Sequence, residues 1–280
     1  MLLTNYHTHT LFCDGKDEPE AYIDEALSQN LKAIGFSAHA PMPFHCQWTL
    51  PPEKYANYLE KIQTLKKKHA DQIEIYCGLE LDYIPSKHTQ ITNLAQPYKL
   101  DYFIGSIHFI DQLNDGTLWC IDGSNEDFRK GWLEIFHGDS HAIIQKYFEY
   151  TRQMVREMKP PIIGHLDKIK MQHRPDLLLD EMNPYYQKEV MQTLEEIAAS
   201  KCVVEVNTRG MYKRNVADLY PSTWVLNEMA KMRIPVTINS DAHRANEITL
   251  FYNIAREKLL ASGYKTTSHL SKGGWYETDL

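Results

Sequence analysis

The sequence has no Cys-x-x-Cys pair among its five cysteines (Cys13, Cys46, Cys77, Cys120 and Cys202), and the odd, scattered set excludes both a disulfide framework and a zinc ribbon. No apolar run approaches the roughly 20 residues that cross a bilayer. The strand-like segment 2–6 passes directly into polar residues without the pattern of a signal peptide. Membrane insertion and export are therefore disfavoured, and a reducing cytoplasm is the expected location. A basic excess is also missing: 30 Lys and Arg against 37 Asp and Glu leave a net charge of -7. Such a surface does not replace counterions along a phosphate backbone, so no nucleic-acid partner is expected. Neither GxGxxG nor GxxxxGK[ST] occurs, which argues against a dinucleotide or P-loop nucleotide site, and no GxSxG marks a nucleophilic serine.

What is present suits a folded protein. Of the 280 residues, 43% are hydrophobic and 24% charged, enough for a sizeable core. That length admits one large domain or two small ones, and the lack of any linker or charge block favours a single domain, residues 1–280. Short β-branched or apolar runs alternate with stretches in which apolar residues recur every three or four positions, the pattern of repeated βα units around a parallel sheet or barrel. Strands are expected at 2–6, 33–37, 73–77 with an extension to 81, 102–107, 162–164, 202–206 and 236–239. Helices are expected at 18–29, 53–69, 141–158, 184–200, 223–232 and 246–262, with a weaker one at 86–95. Pro41, Pro43, Pro51, Pro52, Pro160, Pro161 and Pro235 fall between these units, where a missing N–H does least harm. Residues 111–136, containing Asn114-Asp115-Gly116, read as a hairpin or long loop with an exposed tip.

Thirteen histidines are many for this length, and their placement carries most of the information. Every expected strand ends in a residue able to bind metal: His7-Thr8-His9, His39, Glu80, His108, His165, Glu205 or Asn207, and Asp241-Ala242-His243. In a parallel barrel the C-terminal ends of all strands gather at one face, so these residues would converge. Residues two apart on a strand project to the same side, so His7 and His9 can offer two imidazoles to one ion, and Asp241 and His243 repeat that spacing. Glu80 suits bridging, because a carboxylate can place one oxygen on each of two cations roughly 3.5–4 Å apart. Mixed imidazole and carboxylate donors favour zinc, iron or manganese over calcium. Any one of these residues could be an ordinary packed or surface histidine; their recurrence at every strand end points to a multinuclear metal site. His45, His69, His88, His137, His141, His173 and His269 fall outside the pattern and are read as solvent-exposed or locally bonded. His137 and His141 are four apart but lack the glutamate of HExxH.

Taken in order, His7-Thr8-His9-Thr10 with Asp14-Gly15, Phe36-Ser37-Ala38-His39-Ala40-Pro41, Gly78-Leu79-Glu80-Leu81-Asp82-Tyr83, Gly105-Ser106-Ile107-His108, Gly164-His165-Leu166-Asp167, Glu205-Val206-Asn207-Thr208 and Asn239-Ser240-Asp241-Ala242-His243 span nearly the whole chain. This set resembles the polymerase-and-histidinol-phosphatase (PHP) family, in particular its stand-alone bacterial histidinol-phosphate phosphatases. The resemblance implies a distorted seven-stranded (βα)7 TIM-like barrel holding three ions of zinc, iron or manganese. By the same resemblance, His7, His9, Glu80 and Asp241 hold the first ion. Glu80, His108 and His165 hold the second, and Asp14, His39 and His243 hold the third, with Asp14 standing where some relatives have a histidine.

The activity so implied is hydrolysis of a small phosphate monoester, histidinol phosphate, in histidine biosynthesis. Asp241 or His243 would pass a proton to the leaving alkoxide. Arg209, Arg244, Lys168, Arg174 and Ser106 are candidate donors to the phosphoryl oxygens, since an Arg fork can hold two oxygens at once. Each of the cations could instead make a surface salt bridge. Glu205 and Asp82 are candidates for selecting the substrate amine near the mouth, and the segment 41–52, with Phe44 and Trp48, reads either as a lid over an aromatic substrate or as a loop that merely packs. Rival readings are a nucleotide phosphatase or 3′-exonuclease, a C–N hydrolase on the same barrel logic, and a metal-binding module without catalysis. The helix faces are ordinary and single out no oligomeric interface.

Overall fold

The computed structural model describes residues 2–95, 100–172, 180–213 and 218–280. In chain order the first half comprises β1 (Thr4–Asn5), α1 (Pro19–Ser28), β2 (Ala33–His39), α2 (Tyr55–Lys68), β3 (Glu74–Asp82), α3 (His88–Ala95), β4 (Tyr102–Ser106), β5 (Phe109–Gln112), β6 (Leu118–Cys120) and α4 (Asn125–Glu134). The second half comprises α5 (Ser140–Glu157), β7 (Ile162–Ile163), α6 (Pro184–Ala199), β8 (Val203–Asn207), α7 (Arg209–Lys213), α8 (Thr223–Lys231), β9 (Val236–Asn239), α9 (Tyr252–Ser262), β10 (Thr266–Ser271) and β11 (Gly274–Asp279).

β1, β2, β3, β4, β7, β8 and β9 pair in that order as one parallel sheet of seven strands. The sheet is nearly closed. Past the ends of β1 and β9, Thr8 and Ala242 form a parallel bridge, in which the His9 N–H donates to the Ala242 carbonyl at 2.8 Å and the Ala242 N–H to the His7 carbonyl at 3.1 Å. One step earlier a side chain replaces the strand ladder, with Asn239 Oδ1 accepting from the Tyr6 N–H at 2.8 Å. This is the expected single-domain α/β barrel of seven strands, and strand order follows chain order because each βα unit crosses over in the same sense.

Apolar periodicity locates the strands and long helices to within a few residues. The last long helix is shorter than the periodicity suggests: residues Ala245–Glu247 form a 3₁₀ turn, Phe251 takes a left-handed φ of 62°, and α9 starts only at Tyr252. Segment 111–136 contains the expected hairpin tip, between β5 and β6, but also α4, which rests on a Ser124–Asp127 capping box more than on periodicity. The short α7 and the C-terminal hairpin β10–β11 have no counterpart in the sequence reading.

That hairpin closes the end of the barrel opposite the strand C-termini. Inside, Tyr6, Tyr76 and Tyr102 pack with Ala33, Ile104, Ile162 and Leu270. The Tyr102 side chain lies across Gly78 on the neighbouring β3 and Gly35 on β2 beyond it, where an added Cβ would come within 2.6 Å and 2.3 Å of it. Leu270 donates its N–H to Tyr6 Oη at 2.9 Å, Tyr76 Oη donates to the Leu270 carbonyl at 3.1 Å, and Trp275 meets Tyr6 edge-on at 5.9 Å. Outside the barrel, α1, α2 and α3 bury their apolar faces in one cluster, and α5, α6, α8 and α9 bury theirs in another. The five cysteines are free thiols, and no helix among the described residues is long and apolar enough to cross a membrane.

His269 corrects the reading of the remaining histidines. It is buried on β10, with Thr4 Oγ1 3.0 Å from Nδ1 and Thr267 Oγ1 3.0 Å from Nε2. His173 lies outside the described residues. Burial pushes the His269 imidazole down to about 4, so the folded protein keeps it neutral where the unfolded chain protonates it. Its contribution is therefore complete above the ordinary histidine range and is lost as pH falls toward about 4. Denaturant titrations across this window should show stability rising with pH, with a smaller slope in His269→Gln; an unchanged slope contradicts the assignment.

Candidate metal centre

Every ligand candidate but Asp14 lies at or shortly after a strand end. His39 is the last residue of β2 and lies in register with Glu80 on β3. His108, His165 and Asp241 each follow their strands β4, β7 and β9 by two residues, and His7 and His9 follow β1. Asp14 reaches the same place through the loop after β1, which presses on the strand at Gly15, where a Cβ would lie 2.3 Å from the His9 carbonyl oxygen. A glycine is required by that contact, and it sets the position of the neighbouring carboxylate.

Glu80 stands at the centre. Its Oε2 is 2.9 Å from His39 Nδ1, 3.3 Å from His7 Nε2 and 3.5 Å from His9 Nε2. Its Oε1 is 3.0 Å from His165 Nε2 and 3.8 Å from His108 Nε2. Asp241 Oδ1 lies 3.3 Å from His9 Nε2, 3.6 Å from His7 Nε2 and 3.5 Å from His243 Nδ1. Asp14 completes the cluster, 3.0 Å from His243 Nε2 and 3.7 Å from His39 Nε2. The structure thus brings together all nine sequence-predicted ligand residues. Four overlapping groups have ligand atoms close enough to share an ion: His9, Asp14, His39 and His243; His7, Glu80 and His165; His7, His9 and Asp241; and His39, Glu80 and His108.

The donor set fits cations. His7 Nε2, His9 Nε2, His39 Nδ1, Glu80 Oε2 and Asp14 Oδ1 are all buried without a hydrogen-bond partner, although buried polar atoms are as a rule satisfied. Five such atoms converging on one spot, all nitrogen or carboxylate oxygen, are what divalent transition-metal ions satisfy.

The electrostatics agree. Burial opposes ionisation of Glu80, but the imidazoles of His39, His7 and His108 more than reverse it and hold the carboxyl well below the usual range. Asp241 is held down in the same way, against burial, by His7 and Arg209. His9 is pushed well below its usual value by burial and by His243 and His39, and His165 is lowered by burial and Lys168, so both offer neutral nitrogens. His7 goes the other way: burial disfavours its charge, but Glu205, Asp241 and Glu80 raise it well above normal. The cluster therefore has an excess of negative charge that a proton or a metal ion can balance.

Outer partners fix the imidazoles. Glu205 Oε2 lies 2.7 Å from His7 Nδ1, while Oε1 accepts from the His165 N–H at 3.0 Å and from Asn207 Nδ2 at 2.7 Å. Asp82 Oδ1 is 2.8 Å from His108 Nδ1 and accepts the His108 N–H at 3.0 Å. Both carboxylates are buried, so the expectation that they meet the substrate near the mouth fails: both oxygens of Glu205 and the Oδ1 of Asp82 are committed to orienting the histidines. Asp241 has a left-handed φ of 56°, a conformation costing about 1–2 kcal/mol for most residues. Arg209 Nη1 donates to its carbonyl at 2.8 Å, and Tyr212 Oη donates to the Ser240 carbonyl at 2.7 Å, holding that turn.

A cavity of about 330 Å³ opens onto the cluster. Asp14, His39, Glu80, His108, Asp241 and His243 form its floor, and Trp48, Cys120, Asp122, Gly123, Lys168 and Arg209 its walls. Of the phosphoryl-donor candidates, Lys168 and Arg209 reach this cavity. Lys168 is buried, with Nζ 3.2 Å from His108 Nε2 and 2.9 Å from Asp122 Oδ2, and the surrounding carboxylates outweigh burial to keep it an ammonium. Ser106 does not line the cavity; its hydroxyl donates to Glu80 Oε1 at 2.6 Å and so holds a ligand. Arg244 is exposed and lies off the cavity, and Arg174 falls outside the described residues. Within segment 41–52, Trp48 lines the cavity and stacks on Phe109 at 5.6 Å, while Phe44 packs edge-on against Phe109 at 5.9 Å. Asp122, Gly123 and Tyr212 had no signal in the sequence, because they come from a hairpin exit and a short helix whose approach to the mouth is tertiary.

A parallel barrel whose strand ends gather histidines and carboxylates under a small pocket walled in part by Lys168 and Arg209 defines a metal-dependent hydrolase of the TIM-like class. The chain belongs to the PHP domain family, whose model matches residues 5–209. It is 28% identical over 267 residues to the histidinol-phosphatase of Bacillus subtilis (strain 168), covering 90% of this chain and 97% of that one. Among solved structures, a protein from Listeria monocytogenes provisionally assigned as a histidinol phosphatase superposes with a TM-score of 0.81 at 22% identity, covering 90% of this chain and 99% of that one. The histidinol phosphate phosphatase of Lactococcus lactis subsp. lactis, determined with zinc, L-histidinol and phosphate, gives 0.74 at 19% identity over 98% of both chains. At these identities the two structures establish the shared fold.

The outer carboxylates make a prediction. Glu205→Gln should weaken metal retention by about 10–100-fold while the barrel stays folded, as read from metal content during titration with a chelator. Retention equal to the parent chain would show that Glu205 does not position His7.

Proposed function

We propose that the chain hydrolyses L-histidinol phosphate to L-histidinol and inorganic phosphate. The observation that carries this reading is the set of buried, unpartnered imidazole and carboxylate atoms around Glu80, opening onto a cavity walled by Lys168 and Arg209. Membership of the PHP family and the activity named for the Bacillus subtilis relative support it. The cavity volume suits a small ester, within the roughly 300–1,000 Å³ of small-molecule sites. The functional unit we propose is the whole chain, 1–280, since Asp241 and His243 lie beyond the matched residues yet complete the ligand set. A biosynthetic role and free thiols together favour the cytoplasm.

In this reading three ions are bound: one by His7, His9, Glu80 and Asp241, one by Glu80, His108 and His165, and one by Asp14, His39 and His243. Divalent ions of this kind supply the charge neutralisation and water activation that monoester hydrolysis, among the slowest uncatalysed reactions, demands. The chain's own groups do the rest. Lys168 and Arg209 face the cavity and fix the phosphoryl oxygens, Arg209 being itself held by the Asp241 carbonyl. Asp241, held ionised beside His7 and Arg209, can accept the proton of the attacking water and return it to the leaving alkoxide. His243 is the second candidate for that transfer. Its Nδ1 lies 3.0 Å from the Asp241 carbonyl, which orients the ring and directs Nε2 toward Asp14.

Phosphate release from L-histidinol phosphate, compared with nucleotide monophosphates, an aryl phosphate, a phosphodiester and single-stranded DNA on one metal-analysed preparation, tests the reading. Strong preference for histidinol phosphate is expected; equal or better turnover of nucleotides or DNA would replace it with the rival phosphoesterase. Asp241→Asn should lower kcat by about 10²-fold or more with the fold retained. An Asp241→Asn enzyme of full kcat with its metals bound would exclude Asp241 from proton transfer.

A further inference from the structure

We infer that the buried ion pair of Asp167 and Lys170 positions the phosphoryl-binding cations: it fixes the turn that carries Lys168 against the end of β8, from which Arg209 enters the cavity. The inference deepens the reading above and rests on its assignment of Lys168 and Arg209 to the phosphoryl oxygens. Neither Asp167 nor Lys170 lines the cavity, and each is almost wholly enclosed, at 0% and 4% exposure. Both lie within three residues of Lys168 on the chain, one on either side of it.

The pair grips one stretch of backbone at two points. Lys170 Nζ donates to Asp167 Oδ2 at 2.9 Å and also to the Leu219 carbonyl. The Ser222 N–H donates to the same Asp167 oxygen at 2.8 Å. Lys170 Nζ lies 5.2 Å from the centre of the Tyr220 ring, with Glu181 Oε1 as a second carboxylate at 4.0 Å. The gripped stretch is itself laddered onto β8: the Asn207 N–H donates to the Tyr220 carbonyl at 2.7 Å, and the Tyr220 N–H to the Asn207 carbonyl at 3.0 Å. Asn207 Oδ1 then accepts the Arg209 N–H at 2.8 Å, where α7 begins. A continuous set of bonds thus runs from the Lys168 turn through Lys170, residues 219–220 and Asn207 to Arg209.

The turn needs such a hold. Lys168 opens a 3₁₀ turn of five residues, Lys168–Gln172, a short element whose own hydrogen bonds are of poor geometry. Its far end is tied by Gln172 Nε2, which donates to the Ile121 carbonyl at 2.7 Å, and Asp167 with Lys170 ties the near end. A lysine is a point charge on a flexible stem, so the place of its ammonium, 3.2 Å from His108 Nε2, depends on where the turn sets its backbone. Two cations that meet one phosphoryl group must keep a set separation, since misplacement by about 1 Å is costly. An apolar pair of similar volume would serve stability as well as a buried ion pair does. It would not take the Leu219 carbonyl and the Ser222 N–H as fixed partners.

The test reads binding of inorganic phosphate to the metal-loaded chain by calorimetry, with metal content measured on each preparation. The chains compared are wild type, Asp167→Asn/Lys170→Met, Lys168→Gln and the variant combining all three substitutions. Removing both charges avoids stranding one of them in the interior. Asp167→Asn/Lys170→Met should weaken phosphate binding by about 10-fold, the scale of coupling within one bonded network, with metal content unchanged. Added to Lys168→Gln, the same change should cost nothing further, because a single cation has no separation to keep. Asp167→Asn alone, isosteric and still able to accept from Ser222, should show a smaller loss with the same dependence on Lys168, and it decides the matter if the paired variant does not fold. Wild-type affinity in these variants, an equal loss with and without Lys168, or a loss that follows metal content each overturns the inference. Phosphate binding by the wild type without turnover of L-histidinol phosphate overturns the substrate reading alone. A metal-loaded wild type that binds no phosphate overturns the phosphoryl role of Lys168 and Arg209, and this inference with it.

Discussion

A buried carboxylate ringed by imidazoles governs this molecule. Glu80 sits fully enclosed on β3 with five histidines within 4 Å of its two oxygens, and such a group is costly unless charge compensates it. The nearby histidines cannot all be protonated: burial pushes His9 and His165 down, helped by His243 and His39 at the first and by Lys168 at the second. Bound cations resolve the conflict. The rest of the mouth is arranged to keep the donors aimed inward: Glu205 and Asp82 behind His7 and His108, and Ser106 on Glu80 itself.

The barrel tolerates this because its two ends are specialised. At the N-terminal end, three tyrosines, two glycines beneath one of them and the β10–β11 hairpin make a close-packed floor. At the C-terminal end, the imidazoles and carboxylates converge around Glu80, and Asp241 takes a left-handed backbone conformation beside them. The two are linked through the β1–β9 seam, where Asn239 accepts from Tyr6 and the His7–Ala242 and His9–Ala242 bonds bring the first and last ligand pairs together.

The side chains that wall the cavity come from different parts of the fold than the histidines and carboxylates at its floor. Lys168 starts the 3₁₀ turn after β7, Arg209 starts α7, Trp48 comes from the segment after β2 and Asp122 from the hairpin insertion. Strand ends supply the candidate ion donors, and loops supply the walls of the cavity above them.

The sequence by itself determined the parallel barrel, through its alternation of short apolar runs and helical periods, and the convergence of its histidines and carboxylates, because strand ends in a parallel barrel meet by geometry. Residue types at strand termini are local facts, so His7, His9, His39, Glu80, His108, His165 and Asp241 are legible from the amino-acid order alone. Tertiary structure alone decided the roles of groups whose partners are remote in sequence. Glu205 and Asp82 turn inward behind histidines on other strands, Ser106 commits its hydroxyl to Glu80, and Arg244 lies outside the cavity that Arg209 enters. His269 is buried because its hairpin packs across the floor of the barrel, where Thr4 of the first strand meets its ring. Periodicity reports which face of an element is covered; which neighbour covers it, and which polar atom that neighbour takes, depends on packing between segments far apart in the chain.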